Sequence, residues 1–395
     1  MYRFQAILLV VLLCSLSKAL HAQDTIPIVP KAEVVTALLL EEKKWDSLLI
    51  AGRNSISNGR FHFRVWERTG QAAYMRGKYA LALGYLVKAT QLDPESWDAL
   101  YLAYKSSLEL NKPECAHFFF SRLPLEIRAQ EGIKQTGLTA FVVEIAPRLN
   151  ATTRRGNILY RRLGMEIKPG HKWTHQHNVS YQFQRLSEPA LKNLVHDVAS
   201  VNMLQWSYAA NVSYAISVRV ALKAAFHYQY TSFDDWRFDN NVLMGGIKFT
   251  GNFFDIQADA MICQIMGLPT QQLNLETKIQ PLGNAKLEAE LRSSFQTSKG
   301  YENWLFEPKL GVKLLGNLGV EWSGVFSEYN HYVTKDAQYL WTYLDPTVWK
   351  TQFSIILKTQ KLALQLSYQL DRRKLYNSDI RYSIHSPSAI VTYKF

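Results

Sequence analysis

The residues of this chain with the chemistry to act on a substrate or hold a metal are its histidines and paired carboxylates. The histidines in question are His175, His177, His227, His331 and His385. A hydrolase needs a nucleophile beside such a base, and none of the five lies in a G-x-S-x-G or comparable setting. His175 and His177 flank Gln176, so both imidazoles share one face of a strand, yet no third metal ligand stands at a recognisable spacing. Acidic pairs such as Glu288 and Glu290 sit among basic residues and read as a charge network rather than as general acid and base. Cys115 and Cys263 fall in regions of different character, and Cys14 lies in the N-terminal segment read as a cleaved leader, so no disulfide framework is expected. The expectation is a protein that is not an enzyme and carries no metal or cofactor.

Interest therefore moves to the charged residues that alternate with apolar ones. Arg219, Lys223, Asp255, Asp259, Glu276, Lys278, Glu288, Glu290, Arg292, Glu307, Lys309, Lys313 and Glu321 occupy one face of successive extended segments, with both signs interspersed. The alternation is cleanest in three segments. Val218, Val220, Leu222, Ala224, Phe226, Tyr228 and Tyr230 oppose Arg219, Ala221, Lys223, Ala225, His227 and Gln229; Leu362, Leu364, Leu366, Tyr368 and Leu370 oppose Ala363, Gln365, Ser367 and Gln369; Trp206, Tyr208, Ala210, Val212 and Tyr214 oppose Ser207, Ala209, Asn211 and Ser213. A period of two does not say which face is inside. Small, polar and charged side chains dominate one face over many strands, and Tyr, Trp and Phe gather near strand ends, as interfacial girdles require. The expectation is a transmembrane barrel whose polar face lines the lumen, with a water-soluble β-domain as the alternative.

Turn signals at Pro169-Gly170, Gly251-Asn252, Gly283-Asn284 and Gly316-Asn317, and weaker ones near Ser217 and Gln360, alternate with polar stretches at about 187–200, 233–240, 267–272, 297–303, 329–346 and 373–382. Short turns on one side and longer loops on the other are the pattern of outer-membrane barrels. Counting from a first strand at about 139–149 predicts an antiparallel barrel of roughly fourteen strands, with twelve as the other count. An even number returns the C-terminus to the side on which the barrel began. The last strand ends Val391, Tyr393, Phe395 on one face, an apolar face running to a C-terminal Phe. Barrels commonly end so, which implies recognition by the barrel-assembly machinery.

The N-terminus sets the compartment. Arg3 precedes an apolar run from Phe4 to Leu13 and a polar stretch ending at Ala22, the plan of a secretory signal peptide over residues 1–22. Leu13 stands where a small residue should precede a lipidated Cys14, which argues against acylation. No run is long enough for a spanning helix. The formal charge is +12, and losing Arg3 and Lys18 leaves +10 on the mature chain. In an envelope such a surface meets anionic lipopolysaccharide and phospholipid; no nucleic-acid module is present.

Before residue 135 the apolar spacing is helical, which places an α-helical domain at 23–135 and the barrel at 136–395. From Phe63 to Ser96 the chain resembles a tetratricopeptide repeat, with Trp66, Gly70, Gly77, Tyr79, Ala82, Leu86, Ala89 and Pro94 at the family's mutual spacings. Thr69 and Ala73 depart from it, standing where the pattern prefers a Leu and an aromatic. Residues 97–130 keep the register more loosely, with Tyr104 where the family usually has Gly. The resemblance implies a helical stack that docks a periplasmic protein, with Tyr101 and Tyr104 as the groove candidates. The order of signal peptide, short repeat stack and C-terminal barrel resembles the YaiO-type outer-membrane protein family. That likeness implies architecture and location: an outer-membrane protein with a periplasmic N-terminal domain. The function expected is a transport or export channel for an unknown cargo, with a saccharide as one candidate; the alternative is a non-conducting anchor that presents the repeats.

Overall fold

The computed structural model describes residues 30–59, 62–131, 136–152, 154–170, 172–187, 200–234, 236–334, 336–375 and 378–395. The expected signal peptide, and residues 188–199 of the first long polar stretch, lie outside them. Among the described residues seven helices precede fourteen strands. The helices are α1 (Pro30–Glu41), α2 (Trp45–Ser57), α3 (Phe63–Met75), α4 (Tyr79–Leu92), α5 (Trp97–Glu109), α6 (Pro113–Phe120) and α7 (Leu125–Gln130).

These helices pack as a sequential stack because small residues sit where axes cross. A Cβ added to Gly70 of α3 would lie 2.6 Å from Leu86 Cγ of α4. Ala82, Leu86 and Ala89 are completely buried, and Trp66 tilts against Tyr85 at 6.0 Å between centroids. Gly77 adopts φ +67° between the two helices, where an L side chain is strained. After α4 the chain turns at Pro94, and Ser96 caps α5 by accepting from the Ala99 N–H while its hydroxyl donates to Glu67 Oε2 at 2.6 Å. We expect Gly70→Val to cost about 1–3 kcal/mol by overpacking. A lowered urea midpoint for the helical signal of the whole protein, with the strand signal unmoved, checks it; coincident midpoints for mutant and wild type would refute it.

The strands are β1 (Gly137–Asn150), β2 (Ile158–Gly170), β3 (Trp173–Ser187), β4 (Ser200–Ala215), β5 (Val220–Phe233), β6 (Trp236–Thr250), β7 (Phe254–Ile265), β8 (Leu268–Ile279), β9 (Leu287–Ser298), β10 (Tyr301–Leu315), β11 (Leu318–Thr334), β12 (Tyr339–Lys358), β13 (Leu362–Lys374) and β14 (Arg381–Lys394). All pair antiparallel with sequence neighbours, and β1 closes on β14 with Ala140 opposite Lys394 and Ile145 opposite Ala389. Closure removes every free edge.

The polar face points inward. On β7 the odd residues Asp255, Gln257, Asp259, Met261 and Cys263 are buried while Phe254, Ile256 and Ile262 are exposed. Leu163, Val179, Leu243, Leu273, Trp304, Leu366 and Tyr368 stand outside at half exposure or more. An apolar exterior on a closed barrel with a polar interior is the pattern of a protein immersed in lipid. No helix among the described residues is long and apolar enough to cross a membrane; the strands cross it. Val391, Tyr393 and Phe395 also face outward, the last two with rings in edge contact at 5.1 Å.

Two expectations are corrected. The polar stretches at 233–240, 267–272 and 297–303 are not long loops: β6, β8 and β10 begin within them, leaving tight turns after Phe233, Ile265 and Ser298. Polar residues there alternate with outward aromatics such as Trp236 and Trp304 and so continue the strands. The stretch 329–346 is not an external loop at all.

Candidate solute pathway through the barrel

The wall on either side of β11 and β12 sets the position of their tip. The ladder between β10 and β11 ends at Phe306 opposite Phe326, and that between β12 and β13 at Thr347 opposite Arg373. Beyond those points β11 and β12 pair only with each other, Tyr332 with Trp341 and Thr334 with Tyr339, after irregularities between Phe326 and His331. Such bulges bend a ribbon out of its sheet, and here the ribbon turns into the lumen. Val333, Ala337 and Leu340 pack on Ala225, Val242, Met244, Met261, Cys263 and Ile265 of the wall. An apolar cluster thus fills the barrel beside β5 to β7.

Polar contacts hold the same hairpin at three heights. At its base Asp345 accepts a two-pronged pair from Arg155, at 2.7 and 2.8 Å, and the Tyr382 hydroxyl at 2.7 Å. In the middle the Tyr339 hydroxyl donates to Glu144 at 2.8 Å, which also accepts from Arg162 at 2.7 Å; the Arg162 guanidinium lies 4.9 Å from the Tyr339 ring centre. At the tip Asp336 accepts from Lys223 at 2.7 Å and Gln257 at 2.6 Å, its carbonyl accepts from Asn211, and Ala337 O lies 2.7 Å from His227 Nδ1. The Gln338 amide donates to Gln176 at 2.6 Å.

The helices occupy the end with the β4–β5, β6–β7 and β8–β9 turns. Lys112, 1 % exposed, donates to Asp255 at 2.6 Å and to Gly251 O at 3.0 Å; the Ala80 N–H donates to Gly283 O, and the Cys115 thiol to Val218 O at 2.7 Å. Just after it Glu114, in the first turn of α6, receives Lys248 at 3.1 Å. Burial raises the Glu114 carboxyl, but Lys248 and Lys223 outweigh it and hold the group down at about 2. A depressed pKa contributes stability that is complete above the ordinary value of 4.5 and lost as pH falls towards 2. Protease resistance of the docked helices is therefore expected to hold down to about pH 4.5 and to fall below it, and Glu114→Gln to flatten that profile. Equal profiles for the two proteins would refute the pairing.

Besides a cavity of about 110 Å³ between α6 and the inner wall of β2 to β6, two larger ones adjoin the hairpin. One of about 400 Å³, on the far side of the hairpin, is lined by Glu144, Arg148, Glu276, Arg292, Lys309 and Gln352 among others. The second, about 500 Å³, lies at the helix end between Tyr104, Leu108 and Pro113 and the inner wall of β1 to β3 and β13 to β14. Gln338, Tyr339, Gln365 and Ile390 line both. The hairpin tip is the partition between them.

The charged residues singled out from the sequence fall along this lumen with two exceptions in detail. Lys278 pairs with Glu288 at 3.0 Å, Lys309 with Glu321 at 3.1 Å and with Glu290 at 4.0 Å, Arg292 with Asp259 at 3.7 Å and Glu276 at 3.8 Å, and Glu307 accepts from Tyr332. Arg219 lies in the turn before β5, exposed, because that strand begins at Val220; Lys313 sits in register at the exposed rim. Asp255 pairs with a helix residue rather than across the lumen.

One of the two aromatic groove candidates is corrected as well. Tyr104 is 1 % exposed, its ring against Phe120 at 5.2 Å, and the Tyr101 hydroxyl is bonded to Glu131. A Tyr replacing Gly at a helix crossing fills the seam instead of opening it. His175 and His177 face outward with Trp173 and Tyr208 at the helix-end rim, and His385 bonds Tyr368 on the exterior. Among the described residues no group of three or more His, Cys, Asp or Glu is placed to hold a metal. Sequence reasoning missed Glu144, Arg155, Arg162, Asp336, Tyr339 and Asp345. The one available signal was Val333, Ala337 and Leu340, too apolar for an external loop.

No family model and no curated protein matches the chain. Solved structures that are similar include the TodX deltaS2S3 mutant monoaromatic hydrocarbon channel (8 % identity, TM-score 0.44, 67 % of this chain and 91 % of that one). A Pseudomonas aeruginosa FadL homologue (9 %, 0.45, 73 % and 95 %) and the Acinetobacter baumannii outer membrane protein Omp33 (9 %, 0.37, 66 % and 100 %) are others. At these values the likeness is one of barrel fold.

Proposed function

We propose that the protein is a bacterial outer-membrane channel for small polar solutes, closed at rest by the β11–β12 hairpin, with its helices on the periplasmic side. The observation that carries this reading is the pair of cavities whose linings share the Gln338–Tyr339 tip. A plug held by hydrogen bonds and ion pairs, rather than by wall pairing, is a separable element. The helical stack, whose residues 63–96 resemble a tetratricopeptide repeat, is the docking module for a periplasmic protein that delivers cargo or releases the hairpin. Its α6 supports this, since Glu114 neighbours Lys248 and Lys223, and Lys223 holds the hairpin tip. Tyr104 is buried and only Tyr101, half-buried, remains of the two groove aromatics to meet such a partner.

The second reading is a non-conducting anchor, favoured by the apolar cluster that the hairpin forms with β5 to β7. Planar-bilayer recording of the wild type and of a protein lacking the hairpin separates them. Conductance that appears on removal supports the channel. Silence in both proteins supports the anchor.

A further inference from the structure

We infer that the lumen on the far side of the hairpin from the helices holds a binding site for a hydroxylated organic acid, of the size of one acidic sugar unit, centred on Lys350. The inference rests on the channel reading for its use in transport but not for the binding itself. Lys350 on β12 lines the 400 Å³ cavity, and among the described residues no carboxylate lies within 4.0 Å of its ammonium. Its cross-strand neighbour Asp371 is engaged by Gln369 at 2.7 Å and Arg373 at 3.2 Å, and Glu307 by the Tyr332 hydroxyl. A lysine inside a barrel without a direct ion-pair partner is costly, and an anion supplied from solution lowers that cost.

A second cation stands on the same platform. The Arg148 guanidinium lies 4.7 Å and the Lys350 ammonium 5.0 Å from the Trp341 ring centre, so one aromatic ring positions two positive groups. Around them are groups suited to hydroxyls rather than to a second charge. Gln352 and Gln369 line the cavity, as does Ser386, which is 3 % exposed with a hydroxyl that has no hydrogen-bond partner. A buried hydroxyl left unpaired is uncommon and costs free energy, and a ligand hydroxyl would satisfy it. Two cations for a carboxylate and an arc of amides and a hydroxyl for sugar hydroxyls define the class.

The test is equilibrium dialysis of the whole mature protein in detergent against glucuronate, its neutral methyl ester, glucose and inorganic phosphate. Glucuronate is expected to be retained and the ester and glucose not. Lys350→Gln should weaken glucuronate by roughly tenfold or more, the scale of one lost charged hydrogen bond, while Lys350→Arg retains it. Equal retention of ester and acid overturns the proposal without any variant, as does an unchanged Lys350→Gln. Retention of phosphate in place of glucuronate overturns the assignment to a hydroxylated acid. Dialysis reads binding without transport: glucuronate bound by a protein that never conducts would sink the channel and leave this site standing.

Discussion

Replacing residues 329–346 by a two-residue Asn-Gly turn is expected to convert a barrel that conducts rarely into one that conducts continuously. Apart from Tyr329 opposite Thr347, the excised residues pair only with one another, because the ladders to β10 and β13 stop at Phe326 and Thr347. The wall therefore keeps its hydrogen bonds, and the shortened protein should still migrate faster unboiled than boiled. In the wild type the hairpin is held by the Arg155–Asp345 pair, whose side chains are 1 % and 3 % exposed, besides the Tyr339 and Asp336 contacts. Breaking a buried pair by loss of one partner costs about 3–5 kcal/mol. If that is the scale of the closed state's advantage, the open fraction of the wild type is on the order of one in a hundred or less. Excision should then raise mean bilayer conductance on the order of a hundredfold. A folded, excised barrel with wild-type conductance would show that the hairpin does not govern passage.

Lys112→Met should free the helices from the barrel mouth. The substitution leaves Asp255, whose side chain is 7 % exposed, without its partner, and removes a bond to Gly251 O. An uncompensated buried charge costs about 3–5 kcal/mol, more than the neighbouring contacts at Ala80 and Cys115 are worth as single hydrogen bonds, each roughly 0.5–1.5 kcal/mol. Limited proteolysis is expected to remove the helices much faster in the variant, while the barrel keeps its heat-modifiable migration. Adding Asp255→Leu should restore much of the protection, since an apolar pair replaces a buried ionic one at little cost. Unchanged cutting in Lys112→Met would mean that the helices are held by something other than this pair.

The sequence by itself determined the kind of elements and the sides they present. Alternation along Trp206–Tyr214 or Leu362–Leu370 decides which residues share a face of a strand, and the small residues Gly70, Ala82 and Ala89 decide where helices approach. Both are local periodicities, set by backbone geometry within a few residues. Even the count of fourteen strands followed from spacing, although tight turns after Phe233 and Ser298 passed for loops because polar residues there continue outward-facing strands. Only the tertiary structure decided what fills the barrel. Lys112 meets Asp255, Arg155 meets Asp345 and Lys223 meets Asp336 across more than a hundred residues of chain. A strand's pattern states that a charge faces inward. It does not state which distant charge will stand opposite, because that depends on closure of the sheet and on the point where β11 and β12 leave it. The hairpin illustrates the reason: Asp336, Gln338 and Tyr339 are ordinary polar loop residues by composition, and become the partition of a lumen only where two ladders end and the ribbon between them has nowhere to pair but inward.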